Sequence, residues 1–261
     1  MLSDDWINIF SYYEMVWSEG WASVLKELDN NPVDPDSCIF ESAKFPRCRV
    51  VTMPDGEPAV QRLDARGQPE GNPVRRRDLR VTLRLDPIPA DDLGGLGGGA
   101  GGSDYAAIAA IGRDPQDRAY VLDGWMSRVR DSQQIAALWP LAEKWRPISA
   151  KIESNGFQRI FGRDFRRMRD ERRDKGLFHQ LAVAETKDSV ETSSKNNDIA
   201  ALEPTINMGW LYFAEHLPQE GMLQFDAFPN GDHDDFPDVV ARGYRDAMAG
   251  GRAGMVASFG R

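Results

Sequence analysis

Hydrophobic and polar positions change rhythm several times along this chain, and each change marks an element. Leu79 to Leu85 alternates apolar and polar side chains, the period-two pattern of a strand. Two more strand-like runs follow, Tyr105 to Ile111 and Ala119 to Trp125, separated by Gly112-Arg113-Asp114-Pro115-Gln116-Asp117, which has the composition of a hairpin turn. From Ser132 to Trp145 the apolar residues Ile135, Leu138, Trp139, Leu141, Ala142 and Trp145 recur at helical spacing. A short buried strand over Ile148 to Ile152 ends at Glu153. A second helix is predicted for Phe157 to Lys175 and a fifth strand for Phe178 to Val183. Pro237 suits the first turn of a last helix through Val239 to Met248.

The segments between are less regular. Trp17 to Leu28 reads as a helix in an aromatic-rich start, stopped by Asn31-Pro32. Cys38 to Arg77 consists of short apolar pieces broken by Pro and Gly and reads as a connector, closed by the basic triplet Arg75-Arg76-Arg77. The glycine run from Gly94 to Gly102 reads as a flexible link between two strands. Ala184 to Asn197 reads as a polar loop, Asp198 to Leu202 as a brief helix, and Gly209 to Phe213 as one arm of a hairpin. Three antiparallel strands, helix, strand, helix, strand and a later helix is the order of an α/β, RNase H-like fold, with a central mixed sheet flanked by helices. The division expected is an N-terminal helical segment and connector over 1–78 and the RNase H-like domain over 79–261.

Composition narrows the chemistry. A formal net charge of −9 over 261 residues argues against a protein that coats nucleic acid by bulk electrostatics, while leaving room for an enzyme whose acidic residues gather at one site. No run is long and apolar enough for a membrane helix, and the acidic start Ser3-Asp4-Asp5 is unlike a secretory signal. The two cysteines, Cys38 and Cys48, form no CxxC pair and fit a reducing compartment.

Candidate chemistry lies in the carboxylates. Asp232, His233, Asp234, Asp235 and Asp238 crowd into seven residues at the mouth of the last helix. Such repulsion is relieved when a divalent cation is bound. Asp86 closes the first core strand and Glu153 the fourth, which lie side by side in the predicted topology, so three separate segments converge on one rim. A pair of divalent ions about 4 Å apart held there could activate water and stabilise a departing oxygen of a phosphodiester. Oxygen ligation with little histidine favours Mg²⁺ or Mn²⁺ over zinc. His233 and Asp238 are candidate supporting groups. The arginines of the second helix, among them Arg159, Arg163 and Arg166, are candidate DNA contacts.

Leu85-Asp86-Pro87, Ser103-Asp104-Tyr105-Ala106-Ala107-Ile108, Ile152-Glu153 with Asn155-Gly156, and Phe228-Pro229-x-Gly231-x-His233-Asp234-Asp235-x-x-Asp238 occur in order across Leu79 to Ala247. This set resembles the C-terminal nuclease domain of viral terminase large subunits, the DNA-packaging proteins of tailed phages. The resemblance implies Asp86, Glu153 and Asp235 as the metal-binding catalytic triad, with Asp234 as an additional ligand. It implies endonucleolytic cutting of concatemeric viral double-stranded DNA in the cytoplasm of an infected host. The implied partners are a packaging ATPase, on a separate chain or a missing domain, the portal and the small terminase subunit. Leu25 to Phe40 resembles the end of that family's motor domain, and no phosphate-binding GxxxxGK[ST] motif is present. The resemblance also implies Lys195 as a DNA contact, although the sequence departs from the family in that motif, Lys195-Asn196-Asn197-Asp198-Ile199, where an aspartate stands in place of an arginine, and in the long glycine-rich insertion over Asp91 to Gly102. Another RNase H-like nuclease, of resolvase or transposase type, and a catalytically silent docking module are the competing readings.

Overall fold

Three strands occupy the stretch expected to be a connector: β1 (Arg47–Thr52), β2 (Pro58–Leu63) and β3 (Pro69–Arg75). Of the Pro and Gly residues that suggested a linker, Pro54, Gly56 and Gly67 sit in the two turns between them, where Gly56 and Gly67 take left-handed backbone (φ 81° and 72°), while Pro69, Gly71 and Pro73 lie within β3. In this computed structural model, residues 38–88, 105–129, 131–153, 158–186 and 192–249 are described. The helix expected over Trp17 to Leu28, the glycine run and Asn155-Gly156 lie outside them.

The remaining elements are β4 (Arg80–Asp86), β5 (Ala106–Arg113), β6 (Ala119–Ser127), α1 (Asp131–Trp145), β7 (Ser149–Glu153), α2 (Gln158–Asp174), β8 (Val183–Thr186), α3 (Thr192–Ala200), α4 (Leu202–Asn207), β9 (Leu211–Ala214), α5 (Gln219–Ala227) and α6 (Asp235–Ala249). All nine strands of the described residues join one mixed sheet in the order β3-β2-β1-β9-β6-β5-β4-β7-β8. Within it β4, β5 and β6 are antiparallel neighbours, while β7 runs parallel to β4 and β8 parallel to β7. The two parallel steps are bridged by α1 and α2, as parallel pairing requires a crossover. This is the RNase H-like arrangement, continued on the β6 side by β9 and the three N-terminal strands, so the sheet runs across the boundary expected at residue 78.

Three further expectations shift. The fifth strand forms at Val183–Thr186, later than Phe178 to Val183. Part of the polar stretch before Asn197 is helical, so Lys195 belongs to α3. The run near Trp210 forms β9, which pairs parallel with both β1 and β6 inside the sheet and is no hairpin arm; its four residues are all buried.

Packing fixes the last helix against this sheet. Half of β5 is alanine, so its surface is shallow, and α6 lies over β5 and β4. Gly243 permits that closeness, since a Cβ there would stand 2.9 Å from Ile111 Cγ1 and 3.4 Å from Arg84 Cβ. At the start of α6, the fully buried Phe236 ring fills gaps left by two glycines: a Cβ on Gly124 would approach it to 2.8 Å and one on Gly221 to 2.6 Å. Edge-on contact with Phe225 joins it to an aromatic cluster including Phe213, Phe45 and Phe40.

Gly221→Ala tests this wedge. Helix propensity alone would favour alanine by about 1 kcal/mol, but overpacking against a buried ring costs about 1–3 kcal/mol. Net destabilisation is expected in urea unfolding; a more stable variant would show that the ring is not confined.

Candidate metal centre

Asp86 is the last residue of β4 and Glu153 the last of β7. The register pairs Leu85 with Ile152, both buried, so the next residue of each strand turns toward the opposite face at the same rim. α6 covers that face and brings Asp238 in its first turn. Carboxylate oxygens of Asp86, Glu153 and Asp238 lie within 4.8 Å of one another. Glu153 and Asp238 are buried and Asp86 is half-buried.

Two cations answer this charge. Arg242, one turn beyond Asp238 on α6, sets Nε 2.8 Å from Asp238 Oδ1 and donates from Nη1 to Glu153 Oε2. Lys195 Nζ lies 2.8 Å from Asp234 Oδ1 and 3.6 Å from Asp238 Oδ2. A second tier continues beneath: Asp246, two turns along α6 from Asp238, receives Lys151 Nζ at 2.6 Å and Arg84 Nη1 at 3.4 Å. Arg84 and Lys151 each stand two residues before Asp86 and Glu153 on the same strand faces, so the charges form a ladder between sheet and helix.

Burial first, then repulsion from Glu153 and Asp238, pushes the Asp86 carboxyl up to about 8, against the pull of Lys195 and Arg242. Burial likewise raises Asp238, with Lys195 and Arg242 opposing. Lys195 is raised: burial works against its charge, but Asp238, Asp234 and Asp86 outweigh it. Carboxyls pushed upward are what a cluster short of positive charge produces. The all-oxygen donor set suits a hard cation such as Mg²⁺ or Mn²⁺. Its spread is close to the separation of two oxygens on opposite sides of a single ion, about 4.2 Å for Mg²⁺ and about 4.6–5.2 Å for Ca²⁺.

The third carboxylate of this cluster is Asp238, which the sequence offered as a supporting group, in the position expected for Asp235. Asp235 is buried, with Oδ2 accepting from the Tyr105 backbone N–H at 3.3 Å and from Gln224 Nε2 at 3.5 Å. Gln224 Oε1 in turn accepts the Phe236 N–H at 2.8 Å. Asp235 thus ties the start of β5 and helix α5 to the mouth of α6. Asp234 faces Lys195. His233 Nε2 accepts from Arg128 Nη2 at 3.1 Å, its Nδ1 lies 3.9 Å from Asp235 Oδ2, and its ring meets Tyr105 edge-on, with Arg128 over the Tyr105 face.

Of the expected DNA contacts, Lys195 faces the acidic cluster, whereas Arg163 and Arg166 are exposed on α2; the Arg159 side chain lies outside the described residues. The triplet Arg75-Arg76-Arg77 turns back on Asp55 and Glu57. Arg242 escaped the sequence reading. Its signal was the i, i+4 spacing Asp238-x-x-x-Arg242 at the head of an amphipathic helix.

No protein-family model matches the chain, and no curated protein sequence matches it significantly. Solved structures similar to it include terminase nuclease domains and a large terminase. The large terminase nuclease from thermophilic phage G20c with bound zinc is 13% identical at a TM-score of 0.46, over 79% of this chain and 97% of that one. The human cytomegalovirus terminase nuclease domain is 13% identical at 0.41, over 63% and 82%. The large terminase of bacteriophage HK97 is 10% identical at 0.40, over 72% and 36%.

The raised Asp86 carboxyl sets a pH dependence. Without bound ions its proton is retained in the folded chain at pH values where an unfolded aspartate, near 3.9, has lost it, so stability falls as pH rises from about 4 to about 8. Asp86→Asn cannot ionise and flattens that slope. In EDTA at pH 8 the variant is expected to exceed wild type by about 1–2 kcal/mol in urea unfolding, with the gain gone at pH 4. A gain of equal size at both pH values would assign it to packing instead.

Proposed function

We propose that this chain is a divalent-metal-dependent endonuclease that hydrolyses phosphodiester bonds of double-stranded DNA, cutting concatemeric viral DNA during genome packaging. The observation that carries the reading is the meeting of Asp86, Glu153 and Asp238, from two parallel strand ends and a helix mouth, within 4.8 Å on one rim. The packaging context rests on the motifs of the sequence. A packaging ATPase, the portal and the small terminase subunit are the partners this context proposes, and the cytoplasm of the infected host its location.

On this reading Asp86, Glu153 and Asp238 hold Mg²⁺ or Mn²⁺. Bound there, divalent cations lower the pKa of water and neutralise charge on the phosphate and its leaving oxygen. The chain's own residues do the rest. Strand ends and a clamped helix fix the ligands on rigid elements. Lys195, held by Asp234, adds positive charge at the edge where an anionic phosphate approaches. Arg128, exposed above Tyr105 and donating to His233, adds a second. Arg163 and Arg166, near the start of the helix that follows Glu153, offer backbone contacts along the duplex. Asp235 serves by anchoring the mouth of α6, with Asp234 and His233 beside it.

Incubation with supercoiled plasmid and Mn²⁺ tests this. Wild type is expected to nick and linearise the plasmid, and Asp86→Asn, Glu153→Gln and Asp238→Asn to lose at least about 100-fold in rate. Asp235→Asn keeps an acceptor for Tyr105 and Gln224 and is expected to lose much less than Asp238→Asn. Equal cutting by all the variants would sink the assignment. A larger loss in Asp235→Asn than in Asp238→Asn would return Asp235 to the ligand set.

A further inference from the structure

Arg242 does more than balance charge. It spans two carboxylates that come from different parts of the fold, Glu153 at the end of β7 and Asp238 one turn before it on α6. A guanidinium is planar, carries its charge at every accessible pH and presents its N–H groups as a fork. Its side chain is only 7% exposed, and Gly243 beside it lets the helix press onto the sheet. Arg242 therefore engages both carboxylates, donating to Glu153 Oε2 and setting its Nε 2.8 Å from Asp238 Oδ1, while each of these residues still offers a carboxylate oxygen within 4.8 Å of one on Asp86.

Charge gives the same answer. Asp86, Glu153, Asp234 and Asp238 are set against Lys195 and Arg242, so one divalent ion brings this group to neutrality and a second would leave it doubly positive. Asp235, in the same first turn of α6, is held apart from this group by the Tyr105 N–H and Gln224.

We propose that Arg242 is a positioning residue that stands in for a second cation in the DNA-free protein. It holds Glu153 and Asp238 in ligand geometry and limits the centre to one divalent ion until an anionic phosphate arrives. This rests on the metal-centre reading above and replaces its two-ion expectation for the resting state.

The test is a calorimetric titration of Mn²⁺ into the full chain without DNA, for wild type, Arg242→Gln, Arg242→Lys and Asp238→Asn, alongside thermal unfolding in EDTA. Wild type is expected to bind one ion per chain. Arg242→Gln is expected to show a second binding event and a lower melting temperature in EDTA that Mn²⁺ raises more than it raises wild type. Arg242→Lys keeps the charge but loses the fork, and is expected to bind one ion about 10-fold more weakly; it decides the matter if Arg242→Gln does not fold. Two ions in wild type would overturn the proposal while leaving the metal centre intact. So would wild-type stoichiometry and affinity in Arg242→Gln, or unchanged affinity in Arg242→Lys. No binding in wild type and Asp238→Asn alike would overturn the centre itself.

Discussion

Carboxylates only a few ångströms apart repel one another, and drying their surroundings strengthens the repulsion. The fold around Asp86, Glu153 and Asp238 is arranged to hold them together all the same. Neither strand end can retreat. β4 is locked between β5 and β7, and β7 between β4 and β8. The helix mouth cannot retreat either, because Phe236, next to Asp235, is wedged where Gly124 and Gly221 lack side chains. Repulsion that cannot be relieved by movement must be relieved by charge: by protons on the carboxyls, by Arg242 and Lys195, or by a bound cation. The upward push on Asp86 and Asp238 is the first of these.

Much of this frame was legible in the sequence. The alternation through Leu85 and the helical spacing from Ile135 to Trp145 report burial directly, and burial is what places Asp86 and Glu153 on adjacent strand ends. The strands before Leu79 were hidden because their signals conflict. Pro58 and Pro69 each begin a strand, where a missing N–H costs no ladder bond, and β3 is an exposed edge with no apolar alternation to read. Proline count alone could not distinguish such strands from a linker.

The choice among the aspartates was hidden for another reason. Asp234, Asp235 and Asp238 are equally acidic in sequence, and only the rotation of α6 decides which one points at the strand ends. Phe236 sets that rotation by entering the core beside α5, a contact distant in sequence. With it fixed, Asp235 falls toward Tyr105 and Gln224, and Asp238 toward Glu153. Family resemblance pointed to the aspartates at the mouth of this helix, but resemblance of motifs carries no information about a helix's phase.

That phase also explains the counter-charges. Asp238, Arg242 and Asp246 lie at successive i, i+4 steps and share one face of α6. The strands beneath carry Arg84 and Asp86, Lys151 and Glu153 at period two. Acid on the helix meets base on the strands at Asp246, and base on the helix meets acid on the strands at Arg242, so a register slip of either would set like against like. Buried ion pairs contribute little net stability, since desolvation offsets most of their attraction. What this ladder contributes is a penalty on alternatives: the helix has one seat on the sheet in which Arg242 meets Glu153 and Asp246 meets Arg84 and Lys151, and that seat leaves three carboxylates facing each other at the rim.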